Sequence, residues 1–224
     1  MLSKLLSLIL IFSSLGMDAI CRYENQLSLG GNLFLVNRDY RISADYVPND
    51  LVMPQVKRTS DSVLLRPEAA DALERLFQAA KEEAGYSLVA VSGFRSYQTQ
   101  SLIFNRRLKS VGRQKTMLFV ALPGASEHQL GLAMDVARQK NTSLNASFGS
   151  SPEGIWLAEN CYRFGFILRY QEQWTEITGY AYEPWHIRYV GEEHALRIQE
   201  LDIPLEEYIS ALRTTIDLFS TENE

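Results

Sequence analysis

Ser126-Glu127-His128-Gln129-Leu130-Gly131-Leu132-Ala133-Met134-Asp135 carries an imidazole and a carboxylate, and some fifty residues later Glu183-Pro184-Trp185-His186 carries a second imidazole beside another acid. Two imidazoles and a carboxylate are a sufficient protein ligand set for a hydrolytic zinc ion that keeps one position open. Such an ion lowers the pKa of its water to about 7, and an acid outside the ligand set then takes the proton. The chain has three histidines, and two of them, His128 and His186, fall in these segments. A lone histidine in a strand is more often a packed, hydrogen-bonded residue than a ligand, so it is the joint context that argues for metal. Asp135 strengthens it: a carboxylate among Ala133, Met134, Val136 and Ala137 is costly to bury unless it is paired or coordinates a cation.

The pattern S-x-H-x-x-G-x-A-x-D followed by E-x-W-H resembles that of the VanY-type zinc D-Ala-D-Ala carboxypeptidases, which trim bacterial peptidoglycan stem peptides. Its fixed positions are Ser126, His128, Gly131, Ala133 and Asp135, then Glu183, Trp185 and His186. A third element, Ser92-Gly93-Phe94-Arg95-Ser96-Tyr97-Gln98-Thr99-Gln100, is similar to the family's S-G-[FY]-R-S-x-x-x-Q substrate segment, and the resemblance runs over roughly residues 35 to 192. It implies one zinc per chain on His128, Asp135 and His186, with Glu183 as general base. The substrate it implies is a stem peptide with a terminal D-alanine. A carboxypeptidase must hold a free C-terminal carboxylate, and the planar guanidinium of Arg95 suits that task; Ser126 and Gln100 would add polar contacts. Enzymes with this ligand set also cleave the L,D bond of tetrapeptide stems or act as endopeptidases, and those alternatives stay open from the sequence.

A serine hydrolase built on Ser126, His128 and Asp135 is the reading from another class. No G-x-S-x-G elbow and no S-x-x-K or K-T-G signature supports it. A binding module without turnover would have lost a ligand or the base, and none is lost.

With 224 residues, 46% hydrophobic and 22% charged, the chain suits one globular domain with a sizeable core. A formal net charge of -5 without a Lys/Arg block argues against nucleic acid as a partner. No segment points to an obligate protein partner. Two cysteines, Cys21 and Cys161, are too few for a disulfide scaffold, and Cys161 reads as a buried apolar filler.

The elements that must position these side chains follow from periodicity. A short strand is expected near Asn32 to Val36, and a helix over Arg66 to Ala84, with Pro67 in its first turn and Gly85 as its stop. A strand over Tyr86 to Val91 delivers Ser92 to Arg95, and a helix over Tyr97 to Leu108 carries Gln100. Leu132 to Ala137 reads as a strand, Pro152 to Phe164 as a helix ending at Gly165, and Phe166 to Tyr170 and Tyr182 to Val190 as further strands. In the last, His186 and Arg188 share one face. His194 reads as a solvated helix residue, and Leu205, Tyr208, Ile209, Leu212, Ile216 and Phe219 as the apolar stripe of a C-terminal helix packed on the domain. The fold class is therefore α+β: a central, mainly antiparallel sheet flanked by helices, with the zinc site on the sheet. Lys4 and the apolar run Leu5 to Leu15, too short to span a bilayer, set residues 1–20 apart as a signal peptide or N-terminal anchor of an exported enzyme, with residues 21–224 as the catalytic domain.

Overall fold

The computed structural model describes residues 17 to 222. The leader expected over residues 1–20 lies almost wholly outside them, as does the side chain of Phe219. Helix α1 (Met17–Leu27) precedes an irregular arm. Helix α2 (Pro67–Ala84) is followed by strand β1 (Leu88–Ser92), helix α3 (Tyr97–Phe119), strand β2 (Ala133–Arg138), helix α4 (Pro152–Asn160) and strand β3 (Phe166–Leu168). The short helix α5 (Thr175–Thr178), strand β4 (His186–Tyr189) and helices α6 (Glu192–Leu201) and α7 (Leu205–Glu222) complete the chain.

The four strands form one sheet in the order β1-β2-β4-β3, every neighbouring pair antiparallel. Because side chains alternate across a strand, Met134, Val136, Ile187 and Tyr189 face one way, and Asp135, His186 and Arg188 the other. The first face packs with the Leu73–Leu76 stripe of α2 into the larger core. A second core gathers Ile167, Val190, α6, the buried side of α7 and Tyr23 of α1. In the register of β2 on β4, Asp135 lies directly opposite His186. Chain pairing alone thus brings together two residues fifty-one positions apart.

Helix α2 is capped by Gly85 at φ 72°, in the left-handed region. Three expectations need correction. Asn32 to Val36 forms no strand: Leu33, Leu35 and Val36 are buried, but this segment has no partner strand and packs as an irregular arm. Helix α3 runs eleven residues beyond Leu108, broken at Gly112, where φ 78° and ψ 171° leave the helical region, and the Leu118 carbonyl of its last part accepts from the Ala181 N–H. The last strand begins at His186 rather than Tyr182, because the turn in which the His186 N–H bonds the Glu183 carbonyl occupies the residues before it. No described helix is long and apolar enough to cross a membrane.

Candidate active site

Three elements converge on the polar face of the sheet. The 3₁₀ turn Glu127–Leu130 follows Ser126 and is closed by Gly131 at φ 70°, a conformation that a side chain would strain. It presents His128 towards β1. There Gly93 makes a close approach: a Cβ at that position would lie 2.2 Å from the Leu64 carbonyl oxygen. The Gly93 carbonyl, 2.7 Å from His128 Nδ1, can only accept, so Nδ1 carries the proton and Nε2 the lone pair. That Nε2 is buried, has no hydrogen-bond partner and lies 3.4 Å from Asp135 Oδ1. A buried nitrogen left open beside a carboxylate is free to serve as a ligand atom.

His186 completes the group. Its Nδ1 lies 3.1 Å from Asp135 Oδ1 and its Nε2 3.1 Å from Glu127 Oε2. One potential ligand atom each from His128, Asp135 and His186 falls within 4.8 Å of the others, and all three residues are buried. The donor set of two imidazoles and one carboxylate fits zinc.

The electrostatics follow from burial and charge. Burial opposes a charge on Asp135, but the hydrogen bond from His186 and the charge of Arg95 outweigh it and hold the carboxylate below its ordinary range. Burial first, then Arg95, lowers His128 to about 4, so its ring is neutral. Burial works in the same direction at His186 but is overcome by the hydrogen bonds to Asp135 and Glu127, which push it up to about 9. Glu183 is different. Burial is the largest influence and raises its carboxyl to about 8 against the opposing charges of His186 and Arg95. A carboxyl poised near neutral pH can both accept and return a proton.

Arg95 enters at the end of β1. Its Nη1 donates to Gln100 Oε1 at 3.1 Å and its Nη2 lies 3.6 Å from Asp135 Oδ2, leaving a buried Nε without a partner. Gln100 also donates to the Ala121 carbonyl at 2.7 Å. With both ends of its amide engaged, it holds Arg95 in place rather than offering itself as a free contact. Ser126 lines the same cavity. That cavity is small, about 50 Å³, walled by Arg95, Ser126, His128, Glu183, His186, Tyr170 and Tyr180. On the other side of Arg95 and Glu183 a groove of about 490 Å³ opens past Asp135, Trp185, Phe119 and Arg107. Trp185 lines this groove and also packs into the larger core.

Residues 62–192 match the family model VanY, D-alanyl-D-alanine carboxypeptidase. The chain belongs to that family. Among relatives, it is 45% identical over 203 residues to the putative carboxypeptidase YodJ of Bacillus subtilis, covering 88% of this chain and 72% of the relative. The solved LD-carboxypeptidase LdcB matches with a TM-score of 0.74 at 46% identity, over 84% of this chain and 87% of that one. A mutant of the D,D-pentapeptidase VanY from a VanB-type resistance cassette, solved in complex with Zn(II), matches with a TM-score of 0.65 at 36% identity, over 80% and 98% of the two chains.

In this family member the described structure brings Arg95, Gln100, Ser126, His128, Glu183 and His186 round one cavity with Asp135 beside them, and adds residues that the motifs leave unmarked. Glu127, in a variable position of the first motif, is completely buried; its Oε1 accepts from Arg169 Nε at 2.8 Å and Arg188 Nη1 at 3.0 Å. Burial alone would raise its carboxyl, yet the two guanidinium groups and His186 bring it well below its usual range. Tyr170 lies at a tilt against the His186 ring, centroids 4.9 Å apart. A signal for this network existed: arginines at 169 and 188, inside apolar strand sequences, require buried counter-charges.

His194 is corrected outright. It is 2% exposed, its Nδ1 2.7 Å from the Tyr208 hydroxyl and its Nε2 2.9 Å from Gln26 Oε1. It joins α1, α6 and α7 rather than facing solvent. Cys21 and Cys161 are both free thiols, the latter buried as expected and its thiol pushed up to about 12 by burial.

Proposed function

We propose that this chain is a zinc-dependent carboxypeptidase that removes the terminal D-alanine of peptidoglycan stem peptides, D-Ala-D-Ala stems first. The observation that carries this is the cavity of about 50 Å³ between Arg95 and the His128–Asp135–His186 cluster. It has room for one small residue, and its wall includes a guanidinium suited to a terminal carboxylate. A guanidinium in the wall of so small a cavity favours removal of a terminal residue over endopeptidase action.

His128, Asp135 and His186 are the zinc ligands in this reading; the zinc, when bound, polarises the scissile carbonyl and acidifies a water. Arg95, steadied by Gln100, fixes the terminal carboxylate and so the reach of the scissile bond. Ser126, whose side chain does not cap the turn that follows it, is available to the same residue. Glu183 takes the proton from the attacking water on its carboxylate and returns it to the departing amine. Tyr170 against His186 and Phe119 at the mouth exclude bulk water, which strengthens each of these charged contacts.

A second reading, on tetrapeptide stems, is favoured by the groove of about 490 Å³ beside Asp135 and Glu183. In a tetrapeptide the residue preceding the terminal D-alanine is a long diamino acid, and that groove has space for it. Purified protein incubated with synthetic penta- and tetrapeptide stems, its products identified by mass with and without chelator, tests both. Chelator-sensitive release of D-alanine is the expected result, and no release from either stem would overturn the proposal. The substrate lies outside the cytoplasmic membrane, so this reading also places the enzyme there, exported by its N-terminal segment.

A further inference from the structure

Glu206 stands twenty residues beyond the last motif residue, in the first turn of α7, yet it is linked to the metal site by a continuous set of short contacts. Its Oε1 accepts from Arg169 Nη2 at 2.6 Å and its Oε2 from Arg169 Nη1 at 3.0 Å, a bidentate pair in which Arg169 is buried. The remaining nitrogen of that guanidinium, Nε, donates to Glu127 Oε1 at 2.8 Å. Glu127 Oε2 is thereby left for His186 Nε2, 3.1 Å away.

Charge and geometry both make Glu206 necessary to this arrangement. Arg169 and Arg188 are two buried cations sharing the single carboxylate of Glu127; Glu206 brings the buried set to neutrality. Without it, one uncompensated positive charge remains beside a site that must take up a divalent cation, and like charges repel strongly where water is scarce. The fork of Arg169 would also be free to take both oxygens of Glu127, in competition with His186. The partner that orients a ligating imidazole governs metal affinity, and losing such a partner typically weakens it by about 10- to 100-fold.

We propose that Glu206 is a positioning residue for the metal site: by occupying Arg169 it keeps Glu127 Oε2 aimed at His186, so that docking of the C-terminal helix completes the zinc centre. This rests on the reading of His186 as a zinc ligand. Glu206 touches neither substrate nor metal and acts only through Arg169 and Glu127.

The test is the zinc dissociation constant, measured by competition with a chromophoric chelator on the full-length protein, for wild type, Glu206→Gln, Glu206→Asp, Ile209→Ala and His186→Ala. Glu206→Gln should weaken zinc by up to about tenfold, the low end of what losing the imidazole's own partner costs, while KM of the zinc-saturated enzyme stays near wild type. Glu206→Asp should recover much of the affinity, although glutamine is the closer match in shape; a purely packing role predicts the reverse order. Ile209 is buried one turn further along the same helix and takes part in none of the ion pairs, so Ile209→Ala should lower the melting temperature and leave zinc affinity unchanged. Wild-type affinity in Glu206→Gln would overturn the proposal, and so would equal weakening in Ile209→Ala. If Glu206→Gln does not fold, the comparison of Glu206→Asp with Ile209→Ala decides the matter by the same criteria. Retention of zinc by His186→Ala would instead remove the ligand reading on which the proposal stands.

Discussion

Replacing Arg95 by alanine is the sharpest probe of how the substrate is held. The side chain is 19% exposed, Asp135 beside it 6%, and the guanidinium is already braced by Gln100. Its orientation therefore costs little further entropy when a carboxylate arrives. Removing one partner of a desolvated, hydrogen-bonded charge pair costs about 2–5 kcal/mol. The partial exposure of Arg95 points to the lower part of that range, about 2–4 kcal/mol, or roughly 30- to 1,000-fold in kcat/KM. Steady-state release of D-alanine from a free-acid stem peptide and from its C-terminal amide, by both enzymes, makes a double cycle. For wild type the amide should be poor; for Arg95→Ala the acid should fall to about the level of the amide, and the amide should lose little more. Arg95→Lys should rescue only part, because an ammonium is a point charge without the two-pronged fit. If wild type cleaves acid and amide equally well, the carboxylate clamp is wrong.

Glu183→Gln should keep its zinc and bind substrate but lose about 10²- to 10⁴-fold in kcat, because the amide cannot accept a proton; a wild-type kcat would mean that another group is the base. Asp135→Ala should purify without stoichiometric zinc and without activity, and full metal occupancy by elemental analysis would contradict its ligand role. The pH dependence of stability should carry the signature of His194, which burial lowers to about 4, Glu193 opposing and Arg197 reinforcing the shift, with the Tyr208 hydroxyl and Gln26 amide on its two nitrogens and the Tyr23 ring at its edge. The unfolded chain takes up a proton near pH 6.5 that the folded protein refuses until about pH 4. This contribution is therefore intact above 6.5 and declines as the pH falls to 4, by about 3 kcal/mol in all. Denaturant unfolding of wild type and His194→Gln at pH 7 and 4.5 should show the steeper loss in wild type; parallel losses would refute the assignment.

The His128–Asp135–His186 cluster was legible because histidines are few and their spacing is distinctive, and Asp135 declared itself as a charge set in an apolar strand. Helix α2 was legible for a local reason, since Pro67, the Leu73–Leu76 stripe and Gly85 lie within one contiguous segment. What escaped depends on contacts between distant parts of the chain. Glu127 sits between two fixed motif positions with nothing local to mark it; its partners arrive from residues 169 and 188, and their counter-ion from 206. His194 follows two glutamates that face outward, and only the packing of α1 and α7 over it decides its burial. Leu33 to Val36 showed that apolar residues suited to a strand do not make one when no partner backbone lies alongside.

The first and last described helices are neighbours: Tyr23 of α1 bonds Glu193 at 3.0 Å, Gln26 reaches His194, and His194 reaches Tyr208 of α7. A chain emerging from the ribosome therefore cannot close its second core until α7 has been made, although all three motifs precede that helix. Until then α1 has only α6 to settle on, and Arg169 lacks its second carboxylate. Contacts of such long sequence separation make for slow completion. The second core consequently stays open until α7 is made, and a truncation that spares every motif but ends before residue 205 should yield a protein that fails to mature.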